Sequence, residues 1–387
     1  MKMRVIKQVA AAVVCSCLLG TAQAGAYVPP PPQLDDNAYL VMDDGSGAIL
    51  AAKNADARLG PASLTKLMTS YIVERALIEG RLHETDVVPV SESAWRHGSN
   101  QESTMFLPVH GSASVIDLLR GIVIVSANDA CTAIAEYMAG TEAAFADIMN
   151  HTAASLGLHN THYMNASGLP DPDHYSSARD LAVLAHHIIH DNASYYRIYS
   201  EREMSWGGHT QGNRNALLYT DPSVDGLKTG HTEASGYSLV ASAQRQGMRL
   251  IVVVLGTKSM QERADQPRAL LNWAFSAYQT VVPYHRGDVL TQAHVWFGQQ
   301  DSVPLGLAAD LALTLPRGAQ SSLKASLVLN PRLQAPLHVG QVAGQVVSTV
   351  DGKIVGKQDL VVMRDDPQAG FFKRLWQHLL MFLSRIF

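Results

Sequence analysis

Cysteine is scarce in this chain. Only three occur in 387 residues, and two of them, Cys15 and Cys17, lie in an N-terminal segment that we expect to be removed. Cys131 would then remain alone, which excludes an intramolecular disulfide. We expect Cys131 to be a small buried residue on the helix after Asn128, without a redox role.

A long hydrophobic run is also missing from the N-terminus. The apolar run Val9–Leu19 is short for a membrane span of about 20 residues. It follows Lys2, Arg4 and Lys7 and precedes the small-residue pattern Ala22–Ala24. This order is typical of a secretory signal peptide, and cleavage is expected after Ala24.

Positively charged residues are outnumbered by negatively charged ones. Lys and Arg number 30 against 34 Asp and Glu, and the net charge is -4. Removal of residues 1–24 takes away three positive charges and no negative one, which leaves -7. A chain this acidic is not expected to bind nucleic acid. With 47% hydrophobic residues it is long and apolar enough to bury a sizeable core.

The C-terminal segment Phe371–Phe387 has the spacing of an amphipathic helix. One face would carry the apolar residues Phe371, Phe372, Leu375, Trp376, Leu379, Leu380, Phe382, Leu383, Ile386 and Phe387. The other would carry Lys373, Arg374, Gln377, His378, Ser384 and Arg385. The segment is too short and charged to span a bilayer, and we expect it to lie on a membrane surface with its basic face wet. The alternative is a helix packed on the protein's own core.

The order of predicted elements favours an α+β fold. A hairpin surrounds the turn Asp43–Gly47, and the chain is mainly helical from Ser63 to about Tyr199. Strands return near 225–230, 237–243 and 249–256, followed by a helix from about Gln266 to Tyr278. Strands at both ends of a helical middle predict one mostly antiparallel sheet. Residues 285–365 are short alternating segments cut by turns, which predicts a small all-β domain without a catalytic constellation.

A serine and a lysine stand three residues apart at Ser63 and Lys66, where Pro61 and the following residues predict the start of a helix. Residues three apart are neighbours on one helix face, so the serine hydroxyl would meet an amine able to act as its base. The same pattern recurs at Ser321 and Lys324, but there an alternating segment predicts a strand that separates the two side chains. Of the two copies, only Ser63 and Lys66 are therefore a candidate site, and the chemistry they predict is acyl transfer through a serine ester.

Two further motifs follow in a set order. The sequence Ser126-Ala127-Asn128 begins 63 residues after Ser63, and Lys228-Thr229-Gly230 begins 102 residues beyond Ser126. This order and spacing resembles the penicillin-binding protein and serine β-lactamase superfamily. Further stretches, such as Tyr175–Asp180, resemble the low-molecular-mass penicillin-binding proteins that act as D-alanyl-D-alanine carboxypeptidases. The resemblance includes their C-terminal β domain and membrane helix, and so covers nearly the whole mature chain.

The resemblance assigns a role to each motif residue. It implies Ser63 as nucleophile and Lys66 as general base, with the pKa of Lys66 lowered by burial and by the positive charge of Lys228. Ser126 would relay a proton to the leaving group, and Asn128 would hold Lys66 and the substrate amide. The remaining substrate-binding residues implied are Lys228 and Thr229 for the terminal carboxylate, Gly230 for close approach, the backbone N–H of His231 for the oxyanion hole, and Arg214 as a second carboxylate anchor.

Plainer interpretations of the same residues remain open. Ser126 and Asn128 are common helix caps, Lys228 could be a solvated strand residue, and Ser63 an N-cap. The helical spacing of His186, His187 and His190 is compatible with metal binding, but no carboxylate or cysteine accompanies them in the sequence, so a solvent-facing or core-edge helix is favoured.

The related enzymes differ in loop residues. A class A β-lactamase needs a glutamate that activates the deacylating water, and no Glu occurs between Glu142 and Glu201. Penicillin should therefore stay bound for long periods. Some close carboxypeptidase relatives carry His where Ser167 stands, which puts the contribution of this loop to the rate in doubt. A cross-link endopeptidase and a catalytically silent peptidoglycan-binding scaffold remain as alternatives.

The resemblance implies a serine-type carboxypeptidase that removes the terminal D-Ala from peptidoglycan pentapeptides and is acylated by β-lactam antibiotics. No metal or organic cofactor is implied. We expect a periplasmic protein attached peripherally to the inner membrane. The expected divisions are the signal peptide 1–24, the penicillin-binding peptidase domain 25–280, the β domain 281–366 and the anchoring helix 367–387.

Overall fold

The computed structural model describes residues 28–99 and 103–383. The predicted signal peptide, residues 1–24 with Cys15 and Cys17, lies outside the described residues, and so do the last four residues of the predicted C-terminal helix. The expected cleavage after Ala24 therefore stays a prediction.

The helices of the described chain are α1 (Lys66–Ile78), α2 (Glu92–Ser99), α3 (Val115–Arg120), α4 (Asn128–Ala139), α5 (Glu142–Ser155), α6 (Ala178–Asp191), α7 (Leu217–Thr220), α8 (Met260–Ala277) and α9 (Phe371–Leu383). Short 3-10 helices span Ala62–Thr65, Tyr196–Ser200 and Ala319–Ser322, and a π-helix spans Gly121–Val125.

The strands are β1 (Ala38–Asp43), β2 (Ile49–Lys53), β3 (Val87–Pro89), β4 (Ser112–Ser114), β5 (Glu203–Trp206), β6 (His209–Gly212), β7 (Val224–Thr232), β8 (Gly236–Arg245), β9 (Met248–Thr257), β10 (Tyr278–Tyr284), β11 (Val289–Trp296), β12 (Ser302–Leu307), β13 (Leu311–Pro316), β14 (Leu323–Leu329), β15 (Leu333–Gln334), β16 (Val342–Val350) and β17 (Lys353–Val362).

A five-stranded antiparallel sheet forms the centre of the first domain, in the order β2-β1-β9-β8-β7. The central strand β9 carries an uninterrupted apolar run, as expected of a strand covered on both faces. One face packs on α1, α4 and α6, while α8 covers the other. The predicted α+β class with a mostly antiparallel sheet is confirmed. Strand β7 ends the sheet, so its outer edge has no partner strand among the described residues.

Helix α8 begins earlier than the sequence predicted. We expected a start near Gln266, but the helix starts at Met260 and contains Pro267. The cause is a local cap, because Ser259 Oγ accepts the N–H of Glu262 at 3.1 Å and the Glu262 carboxylate accepts the N–H of Lys258 at 3.0 Å. These bonds satisfy N–H groups at the helix start.

The C-terminal domain is all-β, as predicted. One sheet has the order β14-β16-β17-β12-β11-β15, and β10 pairs with β13. Two small apolar cores fill it. Lys324 lies in β14 and Ser321 in the 3-10 helix before it, in agreement with our dismissal of the second serine–lysine pair.

Helix α9 packs on the β domain through its polar face. Gln377 is buried and accepts the backbone N–H of Phe297, and the His378 ring lies 4.2 Å from the Phe297 ring. Lys373 pairs with Asp301 at 2.9 Å. The expectation that this face is wet is therefore wrong for Gln377, because backbone and carboxylate groups of the β domain bond to it and to its neighbour Lys373.

The apolar face of α9 is left open to solvent. Seven of its side chains are between 40% and 84% exposed: Phe371, Phe372, Leu375, Trp376, Leu379, Leu380 and Leu383. The alternative of an apolar face packed on the protein's own core is thereby contradicted. Among the described residues, no helix combines the length and hydropathy needed to cross a membrane.

Candidate active site

The proposed nucleophile lies on a tight turn before α1. Ser63 belongs to the 3-10 helix Ala62–Thr65, and the α-helix starts at Lys66 rather than at Ser63. Ala62 has a φ of 49°, a left-handed conformation that costs free energy for alanine. Ser63 is partly exposed, and its Oγ lies 3.1 Å from Lys66 Nζ. The pair predicted from the three-residue spacing is therefore in hydrogen-bond contact.

Lys66 is completely buried among oxygen atoms. Besides Ser63 Oγ, its Nζ lies 2.7 Å from Asn128 Oδ1 and 2.5 Å from the carbonyl oxygen of Ser167. Both of these oxygens can only accept hydrogen bonds. A neutral Lys66 amine that donates its two hydrogens to them has its lone pair left for the Ser63 hydroxyl proton. These contacts are compatible with the general-base role predicted for Lys66.

Ser126 and Asn128 lie between two helices. Ser126 ends the π-helix with φ 65° and ψ 36°, and Asn128 is the first residue of α4. The left-handed backbone brings Ser126 Oγ to 2.9 Å from Lys228 Nζ. Neither side chain caps α4, whose N-cap is Ala127 without a side-chain hydrogen bond. The capping interpretation is therefore wrong.

Lys228 is buried on β7, contrary to the solvated-strand interpretation. Its Nζ donates to Ser126 Oγ and, at 3.1 Å, to the carbonyl oxygen of Thr229. Burial comes first, followed by the charge that Lys66 carries when it is protonated and by the charge of Arg214, and together they hold the pKa of Lys228 well below its usual value. Such a crowded cationic group favours an incoming anion, because a carboxylate would relieve the repulsion between like charges.

Two glycines allow the backbone to close around the nucleophile. A Cβ on Gly230 would lie 2.9 Å from the Pro61 carbonyl oxygen, so this glycine lets β7 pack beneath the Ser63 turn. This differs from the expected reason, which was space for substrate. Gly168 has φ +88°, and a Cβ there would lie 1.9 Å from the carbonyl oxygen of Ala62. Segment 165–169 thus crosses directly over the nucleophile turn.

Two arginines lie close enough to Lys228 for their charges to act on it, and of these Arg263 is buried. Arg214 donates through Nε to the Val125 carbonyl oxygen at 3.1 Å, and partial burial lowers its pKa. Arg263 on α8 lies 5.6 Å from the Tyr237 ring centroid, and burial lowers its pKa as well. The motifs did not point to Arg263, since nothing in the sequence ties α8 to the site. His231 is exposed and stacks on Tyr237 with ring centroids 3.9 Å apart.

A cleft of about 370 Å³ opens onto Ser63, Asn128 and Arg214, whereas the buried Lys66, Ser126 and Lys228 are not among its lining residues. It is lined by Ser63, Ser103, Asn128, Ser167, Gly168, Leu169, Pro170, Arg214, His231 and Thr232. A larger cavity of about 590 Å³ adjoins it and shares Gly168–Pro170 and Thr232 with it.

Sequence reasoning missed the role of Asp129, which immediately follows the second motif. Its carboxylate accepts from Thr104 Oγ1 at 2.6 Å and from the N–H of Leu107 at 3.0 Å, so it holds the segment beside the cleft.

The sequence matches two known families in succession. Residues 25–259 match the peptidase S11 family, described as D-alanyl-D-alanine carboxypeptidase. Residues 278–368 match the family described as penicillin-binding protein 5, C-terminal domain.

Individual relatives extend the match to nearly the whole chain. D-alanyl-D-alanine carboxypeptidase DacA of Haemophilus influenzae is 44% identical over 92% of this chain and 92% of its own length. DacA of Escherichia coli K12 is 41% identical over 98% of this chain and 97% of its own. The solved structure of penicillin-binding protein 5 from Haemophilus influenzae superimposes with a TM-score of 0.85 at 44% identity, covering 88% of this chain and all of that one.

The chain therefore belongs to the D-alanyl-D-alanine carboxypeptidases of the peptidase S11 family. The resemblance inferred from the three motifs is confirmed, and so is the serine-type carboxypeptidase activity with penicillin binding that it implied.

Proposed function

We propose that Ser63 is the nucleophile and Lys66 its general base in the release of D-Ala from peptidoglycan pentapeptides. The Ser63 proton moves to the neutral Lys66 amine as Oγ attacks the carbonyl carbon of the penultimate D-Ala. Lys66 passes that proton through Ser126 to the leaving amine, and the terminal D-Ala departs. A water molecule then attacks the ester, with Lys66 again as base, and regenerates Ser63. The observation that carries this proposal is the meeting of all three motifs through bonds of 2.7–3.1 Å.

Carboxylate recognition falls to the cations and hydroxyls around the cleft. Lys228, Thr229 and Arg214 would bind the C-terminal carboxylate of the substrate, which restricts cleavage to a chain end. The peptide would add to the free edge of β7 as an extra strand. The backbone N–H groups of Ser63 and His231 would bind the oxyanion. Asn128 would hold the substrate amide as well as Lys66.

The direct test is D-Ala release from a synthetic pentapeptide, with Ser63→Ala as the inactive comparison. We expect release by the wild type and none by the variant, together with loss of labelling by a fluorescent penicillin. Release that survives in Ser63→Ala would refute the assignment. A folded wild type that cleaves only cross-linked peptide dimers would point to an endopeptidase, and one that cleaves neither to a silent scaffold.

We further propose that α9 attaches the enzyme to a membrane surface. The support is the exposed apolar face of α9, because soluble proteins rarely leave such a large apolar surface uncovered. The opposite, polar face of the same helix is docked on the β domain. With residues 1–24 as a cleaved signal peptide, the enzyme would be periplasmic and held at the inner membrane. The peptidase, β and anchor regions would then span 25–280, 281–366 and 367–387.

A further inference from the structure

Two histidines and an aspartate converge on the side of α6 that faces the β1–β2 turn. His186 and His190 are one helical turn apart on this face. Asp44 Oδ1 lies 2.8 Å from His186 Nδ1, and Asp44 Oδ2 lies 2.9 Å from His190 Nε2. One ligand atom from each of the three residues lies within 4.8 Å of the others. Neither the proposed reaction nor the family's motifs use this cluster.

The carboxylate of the cluster is fixed and buried. The Asp44 side chain is only 4% exposed, and its backbone N–H donates to the carbonyl oxygen of Arg249 at 2.9 Å. The two imidazoles are 37% and 50% exposed. A buried carboxylate with two partly exposed imidazoles leaves the solvent side open for a water molecule.

We propose that Asp44, His186 and His190 form a binding site for one zinc ion. Two histidines at positions i and i+4 of a helix with a carboxylate from another element are a donor set that zinc accepts, with water as the fourth ligand. Zinc bonds of about 2.0–2.2 Å place tetrahedral ligand atoms roughly 3.3 Å apart. The observed separations of 2.8 and 2.9 Å need only a small outward movement of the exposed rings. Imidazole nitrogens disfavour magnesium and calcium.

The charges around the cluster permit a cation. Arg249 is close enough for its charge to interact with that of Asp44, but it is paired with Asp225 at 2.8 Å. With that pair neutral overall, Asp44 supplies one uncompensated negative charge to the site. His187, between the two ligands in sequence, points elsewhere and bonds to Asp191 at 2.9 Å.

The position of the site suggests a stabilising role. Asp43, the neighbour of Asp44, accepts hydrogen bonds from Thr280 Oγ1 and Thr314 Oγ1 at 2.5 Å each. The same turn therefore joins the peptidase domain to the β domain. A zinc ion on Asp44 would tie α6 to this junction. The sequence could not reveal the site, because Asp44 lies 142 residues from His186.

The experiment is a zinc titration of the chelator-treated full protein, prepared without a histidine tag, against a chromophoric competitor. We expect one equivalent to bind, a rise in the melting temperature, and a tetrahedral d–d spectrum when cobalt is the probe. His186→Ala combined with His190→Ala should weaken binding by about 100-fold or more. His187→Ala is the matched control from the same helix and should bind as the wild type does.

Asp44→Asn distinguishes the loss of a zinc ligand from misfolding, because it keeps the size of the side chain while removing its charge. It should fold, shown by an unchanged circular dichroism spectrum, and lose the zinc-dependent rise in melting temperature. Equal zinc affinity in the wild type and the double histidine variant would overturn the proposal. Equal loss in His187→Ala would overturn it too, and the cluster would then be a metal-free hydrogen-bonded brace.

Discussion

The two site lysines differ in their hydrogen-bond partners. Lys66 Nζ contacts two oxygens that can only accept, in addition to Ser63 Oγ, which suits a neutral amine that collects a proton. Lys228 donates to Ser126 Oγ and to the carbonyl oxygen of its neighbour Thr229, which suits the proposed role of a protonated amine that binds the substrate carboxylate. The proposed mechanism accordingly gives these identical side chains different tasks, because their surroundings differ.

Replacement of Lys66 by arginine tests the general-base role. The positive charge is retained, but a guanidinium does not lose its proton in proteins, so it cannot accept one from Ser63. We expect Lys66→Arg to lower the rate of Ser63 acylation by about 10²–10⁴-fold. The measurement is the rate of labelling by a fluorescent penicillin, with circular dichroism as the check on folding. Labelling at the wild-type rate would exclude Lys66 as the base.

A pair of substrates isolates the role of Lys228. With a pentapeptide ending in a free carboxylate, Lys228→Met should lower kcat/KM by about 10–100-fold, the value of a hydrogen bond to a charged group. With the same peptide ending in an amide, the variant should lose much less. The amide substrate also controls for the lost bond to Ser126, which is common to both reactions. An equal loss on both substrates would mean that Lys228 positions Ser126 rather than binding the carboxylate.

Glu74 makes the stability of the first domain depend on pH. It is fully buried on α1, where burial raises its pKa to about 8 against hydrogen bonds from Asn192 and Tyr199 that lower it. Below pH 4.5 both the folded and the unfolded chain hold this proton. As the pH rises from 4.5 to 8 the unfolded chain releases it first, so the folded state loses up to about 5 kcal/mol of stability over that range.

The variant Glu74→Gln should remove this slope, because a neutral amide has the same shape and no proton to lose. Asn192 Oδ1 has no partner among the described residues, and it can accept from the Nε2 of the new glutamine if the Asn192 amide turns over. Urea unfolding at several pH values gives the measurement: the variant should gain stability over the wild type as the pH rises to 8. Parallel pH profiles for the two proteins would show that Glu74 is ionised in the folded state throughout.

At the scale of elements, the site depends on segment 165–169 crossing over the nucleophile turn. Asn165 Oδ1 accepts the N–H groups of Gly168 at 2.7 Å and Leu169 at 3.1 Å, which bends the segment. The bend delivers the Ser167 carbonyl oxygen to Lys66. The contribution of Ser167 to the base is thus made by its backbone, whatever its side chain does.

Gly168→Ala tests whether the close crossing of segment 165–169 is needed for activity, beyond the free energy that any alanine with a left-handed backbone costs. The matched control is Gly157→Ala, where φ is +73° and the nearest atom to an added Cβ lies 4.0 Å away. The control should lose about 1–2 kcal/mol of stability and keep its activity. Gly168→Ala should lose more and also lose most D-Ala release, because the added methyl group displaces Ala62 or Ser167. Equal effects of the two variants on release would show that the crossing is not needed.

The sequence predicted which residues meet in the site better than it predicted the backbone conformation of the site. Spacing on a helix was enough to pair Ser63 with Lys66, and the motif order identified the family. The left-handed Ala62 and the π-helix before Ser126 left no signal, since both arise from tertiary packing that overrides local preference. Arg263 was missed for a related reason, because only the folded sheet brings α8 to Tyr237 on β8.

At the scale of the whole molecule, loop chemistry bears on how long an antibiotic stays bound. Glu142 lies near the crossing segment, but its carboxylate accepts the N–H of Ala166 at 3.1 Å, outside the residues that line the cleft. We expect the penicilloyl ester on Ser63 to hydrolyse over many minutes, much more slowly than in one catalytic cycle of a β-lactamase. Mass spectrometry of the labelled protein over time would measure this. Loss of the adduct within seconds would show that another group activates water.

Helix α9 provides a further test at the scale of the whole molecule. Among its described residues, Lys373 pairs with Asp301 of the β domain, and Arg374 bonds to Gln368 in the segment just before the helix. Attraction to anionic lipid should therefore contribute little, and the exposed apolar face should dominate membrane binding. Sedimentation with phosphatidylglycerol-containing vesicles should persist in high salt.

Substitution on that face supplies the decisive comparison. Leu375→Glu combined with Leu379→Glu should weaken vesicle binding by about 100-fold, since two leucine contacts with lipid are replaced by charges. Met260→Glu is the control, because Met260 is equally exposed but lies on the peptidase domain. D-Ala release from a soluble peptide should be unchanged in both, because neither position lines the cleft. Vesicle binding by the double variant at the wild-type level would mean that α9 is covered by something other than lipid.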